Sequence, residues 1–212
     1  MVDDSRPVVG VTIFLISAKL RGVFTRGAAC GVTPPTASLV LNLVMTTAAE
    51  LQHLCSRVVG CANATQTSVI IMQGTPGSGK TTVATMLAAH HPNAVVVSAD
   101  DFFVELGVYA FDPSKLSLAH ESCKQKARDA LLLKKAVIVD NCNATVSHVQ
   151  DYMTLAKMYS FTPCIVHMKC STVEAAVEIS SRSVHNVPAH AVKKCYFQME
   201  RLTGNYITYE VR

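Results

Sequence analysis

Lys80 and Thr81 close a run of nine residues, Gly74-Thr75-Pro76-Gly77-Ser78-Gly79-Lys80-Thr81-Thr82. Every fixed position of the pattern G-x-x-x-x-G-K-[ST] is met. Glycines let the backbone curl so that its N–H groups converge on phosphate oxygens. A helix starting there adds the positive end of its dipole. The Lys80 ammonium is expected to bridge the β- and γ-phosphates of ATP, and the Thr81 hydroxyl to ligate Mg2+. The whole run from Gly74 to Thr82 is therefore a candidate nucleotide cradle, a P-loop.

Carboxylates supply the rest of a phosphoryl-transfer set. Asp140 ends the apolar run Ala136-Val137-Ile138-Val139. An acid at the carboxyl end of a buried parallel strand opens onto the ligand crevice, where it would hold Mg2+ beside Thr81. The other reading is an N-cap for the next helix, a task that Asn141 or Asn143 could also perform. Asp100 and Asp101 follow the apolar run Ala94 to Ser98. A hydroxyl acceptor needs a base for its departing proton, and a carboxylate can take it. Successive residues point in different directions, so only one of the pair is expected to reach the acceptor; turn capping is the alternative. Phe102, Phe103, Tyr109 and Phe111 come next. They either pack onto the core or form a wall on which a base or sugar stacks. Arg182 is the one arginine between Ser180 and Pro188, with His185 nearby. Composition alone makes it a solvated helix end.

Such a set works only on a scaffold that brings strand ends together. Ser68 to Gln73, Ala94 to Ser98, Ala136 to Val139 and Pro163 to Met168 are short, apolar and rich in β-branched residues, as buried strands are. Helices are expected over Gly79–His90, Ser117–Lys134, Val146–Tyr159, Thr172–Arg182 and Ala189–Leu202. Alternating strands and helices predict an α/β domain of P-loop NTPase type: a parallel sheet with helices on both faces and right-handed crossovers. It is expected to span residues 67–212, with residues 1–66 as an N-terminal extension of unknown role.

That extension has a different texture. No acidic residue lies between Arg6 and Thr47, and Pro34-Pro35 interrupts any continuous helix. The apolar runs Val8–Ala18 and Thr36–Thr46 fall short of the ~20 residues needed to cross a bilayer. Three readings stay open. The extension is an organelle-targeting presequence, although Asp3 and Asp4 count against it. It is a packed addition, with Leu51, Leu54, Cys55 and Val58 on one face of a helix over Ala48–Val59. Or it is unstructured upstream of Met45.

The bulk composition agrees with an enzyme-sized globular domain. Charged residues make up 16% and apolar ones 50%, which argues against disorder. A net charge of +4 suits phosphate-bearing ligands without requiring nucleic acid. The eight cysteines form no C-x-x-C pair, so neither a zinc site nor a thioredoxin-like motif is expected. Beside an ATP motif, reduced cysteines and a cytoplasmic location are the expectation. Asn63-Ala64-Thr65 and Asn143-Ala144-Thr145 match the glycosylation pattern by accident.

The segments "GTPGSGKTT", "VVVSADDFF", "YAFDPSKLSLAHESCKQKARDALL", "AVIVDNCNAT" and "SSRSVHNVPAHAVKKCYFQMER" occur in this order. Together the chain resembles the small P-loop kinase-type proteins labelled AAA-like ATPases, a family that includes the kinase domain of Nedd four-binding protein two and its short relatives. More distantly it is similar to the kinase half of phage polynucleotide kinase. The resemblance covers Ser68 to about Leu202 and omits the extension. It implies transfer of the γ-phosphate of ATP, with Mg2+, to a hydroxyl, such as the 5′ end of a nucleic acid. Asp100 then matches the general base, Asp140 and Asn143 the strand end D-x-[TC]-N, and Arg182 the lid arginine. The phage enzyme has an arginine three places after its base, where this chain has Phe103. Further basic lid residues are replaced here by Val184, His185 and Asn186, which implies weaker contacts to nucleic acid. Two other readings are an ATP-binding interaction module with weak ATPase activity and a kinase of nucleosides or other small alcohols.

Overall fold

The computed structural model describes residues 49–60, 68–105, 108–183, 185–199 and 206–211, all within one compact unit from Thr46 to Arg212. Its main sheet has five strands: β1 (Ser68–Gly74), β2 (Val95–Val97), β5 (Val137–Val139), β6 (Thr162–Cys170) and β7 (Tyr206–Val211). Their spatial order is β2-β5-β1-β6-β7, and every pairing is parallel. A small antiparallel hairpin, β3 (Val104–Glu105) with β4 (Val108–Tyr109), stands apart from it.

The pleat of β1 explains why its sequence is apolar without interruption. Val69 and Ile71 face one way, into a core shared with Val97, Val137, Val139 and Ile165. The helices Leu116–Leu132 and Val146–Met158 cover that face with Ala119, Cys123, Ala127, Leu131, Val149, Tyr152 and Leu155. Ile70 and Met72 face the other way, against Ile138, Val166 and Met168. Helix Lys80–His90 supplies Val83 and Leu87 on that side. A strand buried on both faces has no polar period to show.

The second face has another cover. Residues 49–60 form a helix, and its Leu54, Cys55 and Val58 are fully buried in the same cluster, with Leu51 beside them. The Tyr209 hydroxyl donates to Glu50 at 3.2 Å, tying this helix to β7. The packed reading of 48–59 therefore holds for these residues. Part of the extension drawn over 1–66 is built into the same compact unit as the P-loop, which takes in everything from Thr46. The two apolar runs and the targeting reading lie outside the described residues. Truncating Leu54 to alanine is expected to destabilise the domain by roughly 2–5 kcal/mol, the range for buried leucines. Denaturant unfolding measures this, and an unchanged midpoint would show that the helix contributes nothing to the core.

The four strands expected from sequence are present. The fifth, β7, follows a helix that was expected over Ala189–Leu202 and runs Ala189–Gln198. Among the described residues, no helix is long and apolar enough to cross a membrane.

Candidate functional site

Chain order reverses beside β1, whose two neighbours are β5 and β6. In open parallel sheets, ligands sit outside the carboxyl ends of the strands at such a switch point. The loop Gly74–Gly79 leaves β1 there and turns directly into helix Lys80–His90. Gly77 has φ +78° and Gly79, the helix N-cap, φ +89°. Both values lie in the left-handed region that costs side-chain-bearing residues about 1–2 kcal/mol. The loop is pinned at its base by Gly74 N–H donating to Cys142 O at 3.1 Å, and internally by Ser78 N–H donating to Thr75 O at 3.2 Å. Lys80 is only 8% exposed, and its ammonium donates to Thr75 O at 2.8 Å.

Gly77 has a second reason to be glycine. A Cβ there would lie 2.2 Å from Ile179 O and 2.8 Å from Ser180 Cα, both main-chain atoms of helix Val173–Ser180. Gly77→Ala is thus expected to lower the melting temperature and weaken nucleotide binding together. Gly60, with nothing within 4 Å of its added Cβ, is the matched control and should tolerate alanine. Equal behaviour of the two variants in thermal unfolding would refute this account.

Asp140 and Thr81 meet at the base of the loop. The Thr81 hydroxyl lies near enough to the Asp140 carboxyl to favour its charged form. Burial pushes this carboxyl above its usual range, while Thr81 and the Lys80 charge pull it back and Asp100 and Asp101 push it further up. Asp140 Oδ1 is buried and has no hydrogen-bond partner. An orphaned carboxylate oxygen beside a hydroxyl suits a hard divalent cation such as Mg2+. The capping alternative fails for Asp140, Asn141 and Asn143 alike, because Thr145 caps helix Val146–Met158 by accepting from His148 N–H.

Those asparagines instead lock the strand ends. Asn141 Oδ1 accepts from Ala99 N–H at 2.9 Å, which fixes the chain just before Asp100. Asn143, at φ +45°, donates from Nδ2 to Met72 O at 2.7 Å and accepts from Gln73 Nε2 at its carbonyl. At 4% exposure, Asn143 is closed to glycosylation.

Asp100 and Asp101 open a short 3-10 helix, Asp100–Phe103, and diverge. Asp101 is exposed and pairs with Lys126 at 3.6 Å. Asp100 is half-buried and turns to other partners. Tyr109 donates its hydroxyl to Asp100 Oδ1 at 3.1 Å, and His185 Nε2 lies 3.7 Å from Oδ2. The Tyr109 and His185 rings lie 4.1 Å apart, centroid to centroid. The packing reading of the aromatic run holds for Phe103. Phe103 is buried in the core, edge-on to Phe102, Tyr109 and Phe111. Phe102 and Phe111 are exposed, at 40% and 51%.

Arg182 sits just beyond helix Val173–Ser180, exposed, lining a cavity of about 210 Å³ with Cys170, Glu178 and Val211. The lid residue whose side chain reaches Asp100 is His185. Neither the Tyr109–His185 pair nor the Asn141 staple was foreseen, since nothing in local spacing marks contacts between residues so far apart in the chain. Asn186, at φ +47°, takes a left-handed backbone angle, which asparagine tolerates.

A family model described as an AAA domain matches residues 69–202. Human NEDD4-binding protein 2 is 27% identical over 137 residues, which are 64% of this chain and 8% of that protein. Among solved structures, a chain of the Pnkp1/Rnl/Hen1 RNA repair complex aligns with a TM-score of 0.52 at 22% identity, over 63% of this chain and 44% of that one. A gluconokinase from Sinorhizobium meliloti aligns with a TM-score of 0.50 at 13% identity, over 69% and 83% respectively. The structural likenesses show a shared fold. This chain spans less than half of the RNA-repair chain and a small part of NEDD4-binding protein 2.

Proposed function

From a chain that belongs to the AAA-domain family and has a P-loop kinase-like fold, we propose an ATP-dependent kinase that transfers the γ-phosphate to a hydroxyl acceptor, specifically a polynucleotide 5′-hydroxyl. The observation that supports it is Asp140 Oδ1, buried without a hydrogen-bond partner just after β5, the strand paired with β1, from which the loop Gly74–Gly79 leads into Lys80 and Thr81.

Loop N–H groups and Lys80 would hold the β- and γ-phosphates, with Lys80 swinging from Thr75 O to reach them. Thr81 and Asp140 would hold Mg2+, which when bound offsets charge on the phosphate oxygens. Asp100 takes the acceptor proton as the hydroxyl oxygen attacks the γ-phosphorus and the bond to the β-phosphate oxygen breaks. Tyr109 orients the base by donating to Oδ1, leaving Oδ2 to the acceptor once His185 withdraws. Arg182 closes with the lid over the transferring group.

The fold is common to a gluconokinase, so the acceptor class rests on Asp100 and on the order of the motifs. A second reading, an ATP-binding module with weak turnover, is favoured by Phe103, whose ring is buried where an acceptor-binding arginine is implied. γ-Labelled ATP, offered with 5′-hydroxyl DNA, 5′-hydroxyl RNA, nucleosides, simple sugars or water alone, separates these. Label on the oligonucleotides is the expected result. Label only on a small alcohol, or only in inorganic phosphate, rejects the polynucleotide reading.

A further inference from the structure

Asp100 is engaged on both of its oxygens. The Tyr109 hydroxyl donates to Oδ1 at 3.1 Å, and His185 Nε2 lies 3.7 Å from Oδ2. The same two residues face each other, with ring centroids 4.1 Å apart and planes tilted by 35°. Their supports differ. Tyr109 pairs with Val104 across the hairpin, and the next residue, Ala110, donates its N–H to Phe103 O at 2.8 Å. The buried Phe103 ring meets the Tyr109 ring edge-on, with centroids 6.2 Å apart. His185 comes from the turn between helix Val173–Ser180 and helix Ala189–Gln198. Its approach to Asp100 is longer than a hydrogen bond, and its own N–H donates to Ser183 Oγ at 3.4 Å.

We propose that the Tyr109 ring is the stacking platform for the acceptor's 5′-terminal nucleobase, and that the His185 ring occupies this place until the acceptor displaces it. Every nucleobase has a π-face, and stacking on an aromatic side chain tolerates any sequence. A ring already fixed by its neighbours loses little freedom when a base settles on it. The placement of the ring ties stacking to chemistry. Its hydroxyl edge is the edge at Asp100, so a sugar hanging over that edge brings its hydroxyl to the carboxylate. His185 outlines the site: a flat aromatic ring lies on Tyr109 with a nitrogen beside Oδ2, where the acceptor hydroxyl has to come.

The inference rests on reading Asp100 as the general base and a polynucleotide as the acceptor, and it adds which part of the acceptor is gripped. Phe103 gains a role by it. Standing where the resemblance implies an arginine, its ring backs the platform, so that a stacked base replaces a charged contact as the hold on the acceptor.

The test uses the full chain, ATP and Mg2+, with two single-stranded 5′-hydroxyl DNAs that differ only in whether the 5′-terminal sugar carries its base. Initial rates give KM and kcat. Fluorescence anisotropy of the same strands, labelled at the 3′ end, gives affinity without transfer. For the wild type, removing the terminal base should raise KM and weaken binding about tenfold. Tyr109→Leu should raise KM for the complete strand to a similar extent and close the gap between the two strands. Tyr109→Phe keeps the ring, so the gap stays while kcat falls with the loss of the hydroxyl on Asp100. His185→Ala should lower KM for the complete strand, because the competing ring is gone. Equal KM for the two strands in the wild type, or a gap that survives Tyr109→Leu, overturns the proposal and leaves the kinase reading standing. Transfer to neither strand, with the binding gap present and dependent on Tyr109, rejects the kinase reading and keeps the platform. Neither transfer nor binding rejects both.

Discussion

Lys80→Ala is expected to abolish detectable phosphoryl transfer, with a loss of roughly 10²–10³-fold or more in turnover, the scale set by deleting one preorganised donor to developing charge. Nucleotide affinity should fall as well, because the ammonium is meant to lie across the β- and γ-phosphates. The ammonium is nearly enclosed; it donates to Thr75 O and its charge favours the ionised form of Asp140. Removing the charge also pushes the Asp140 carboxyl further up, because the pull of Lys80 is one of the two effects opposing burial there. Lys80→Met, which keeps most of the volume, separates charge from packing. Full turnover in either variant, with the fold intact by circular dichroism, would remove the phosphate loop from the mechanism.

Asp100→Asn is the second large effect. A positioned base contributes typically 10²–10⁴-fold, so transfer should fall by that factor while the affinity for ATP stays unchanged. The amide is nearly isosteric, and its Oδ1 still accepts from the Tyr109 hydroxyl, so the 3-10 turn keeps its shape. Asp101→Asn is the internal control, since that carboxylate is exposed and paired with Lys126 in a surface contact worth little. Single-turnover transfer and nucleotide titration must be measured on the same preparations. If Asp100→Asn transfers at the wild-type rate, or if Asp101→Asn is the variant that fails, the base has been misassigned.

The phosphate loop was legible because every signal for it is local. Nine consecutive residues specify the turn, the strand before it is apolar, and the helix after it starts on the motif's own lysine. Asp140 and Asp100 were legible one level up, as acids ending apolar runs. What escaped were partnerships between distant segments. His185 stood out beside Arg182 only by composition, and its contact with Asp100 depends on how the lid folds back across the cleft. Asn141 read as a cap because caps are local, but its amide bridges two strand ends. The fifth strand escaped for another reason. Tyr206–Val211 alternates apolar and polar side chains as an edge strand does, and a single short edge strand after a helix carries little periodic signal. The helix over 49–60 was foreseen as an amphipathic segment, but its docking onto the second face of the sheet needed the cluster of Leu54, Cys55 and Val58 with Ile70 and Val166 to be seen together.

Gly77 rests on the carbonyl of Ile179 with main-chain atoms on both sides. A joint of that kind has no side chain to wear or adjust. Substitutions at Ile179 can change what surrounds it but not the spacing between the phosphate loop and the helix that leads to the lid. Loop and helix therefore meet main chain to main chain, with no room between them for even a Cβ. On the proposed reading, an acceptor that draws the segment after this helix inward would raise affinity for nucleotide by the same factor that nucleotide raises affinity for the acceptor. Order of addition would therefore leave no trace in the ternary equilibrium, and the synergy between the two ligands would be set by one glycine that touches neither the attacking hydroxyl nor the base.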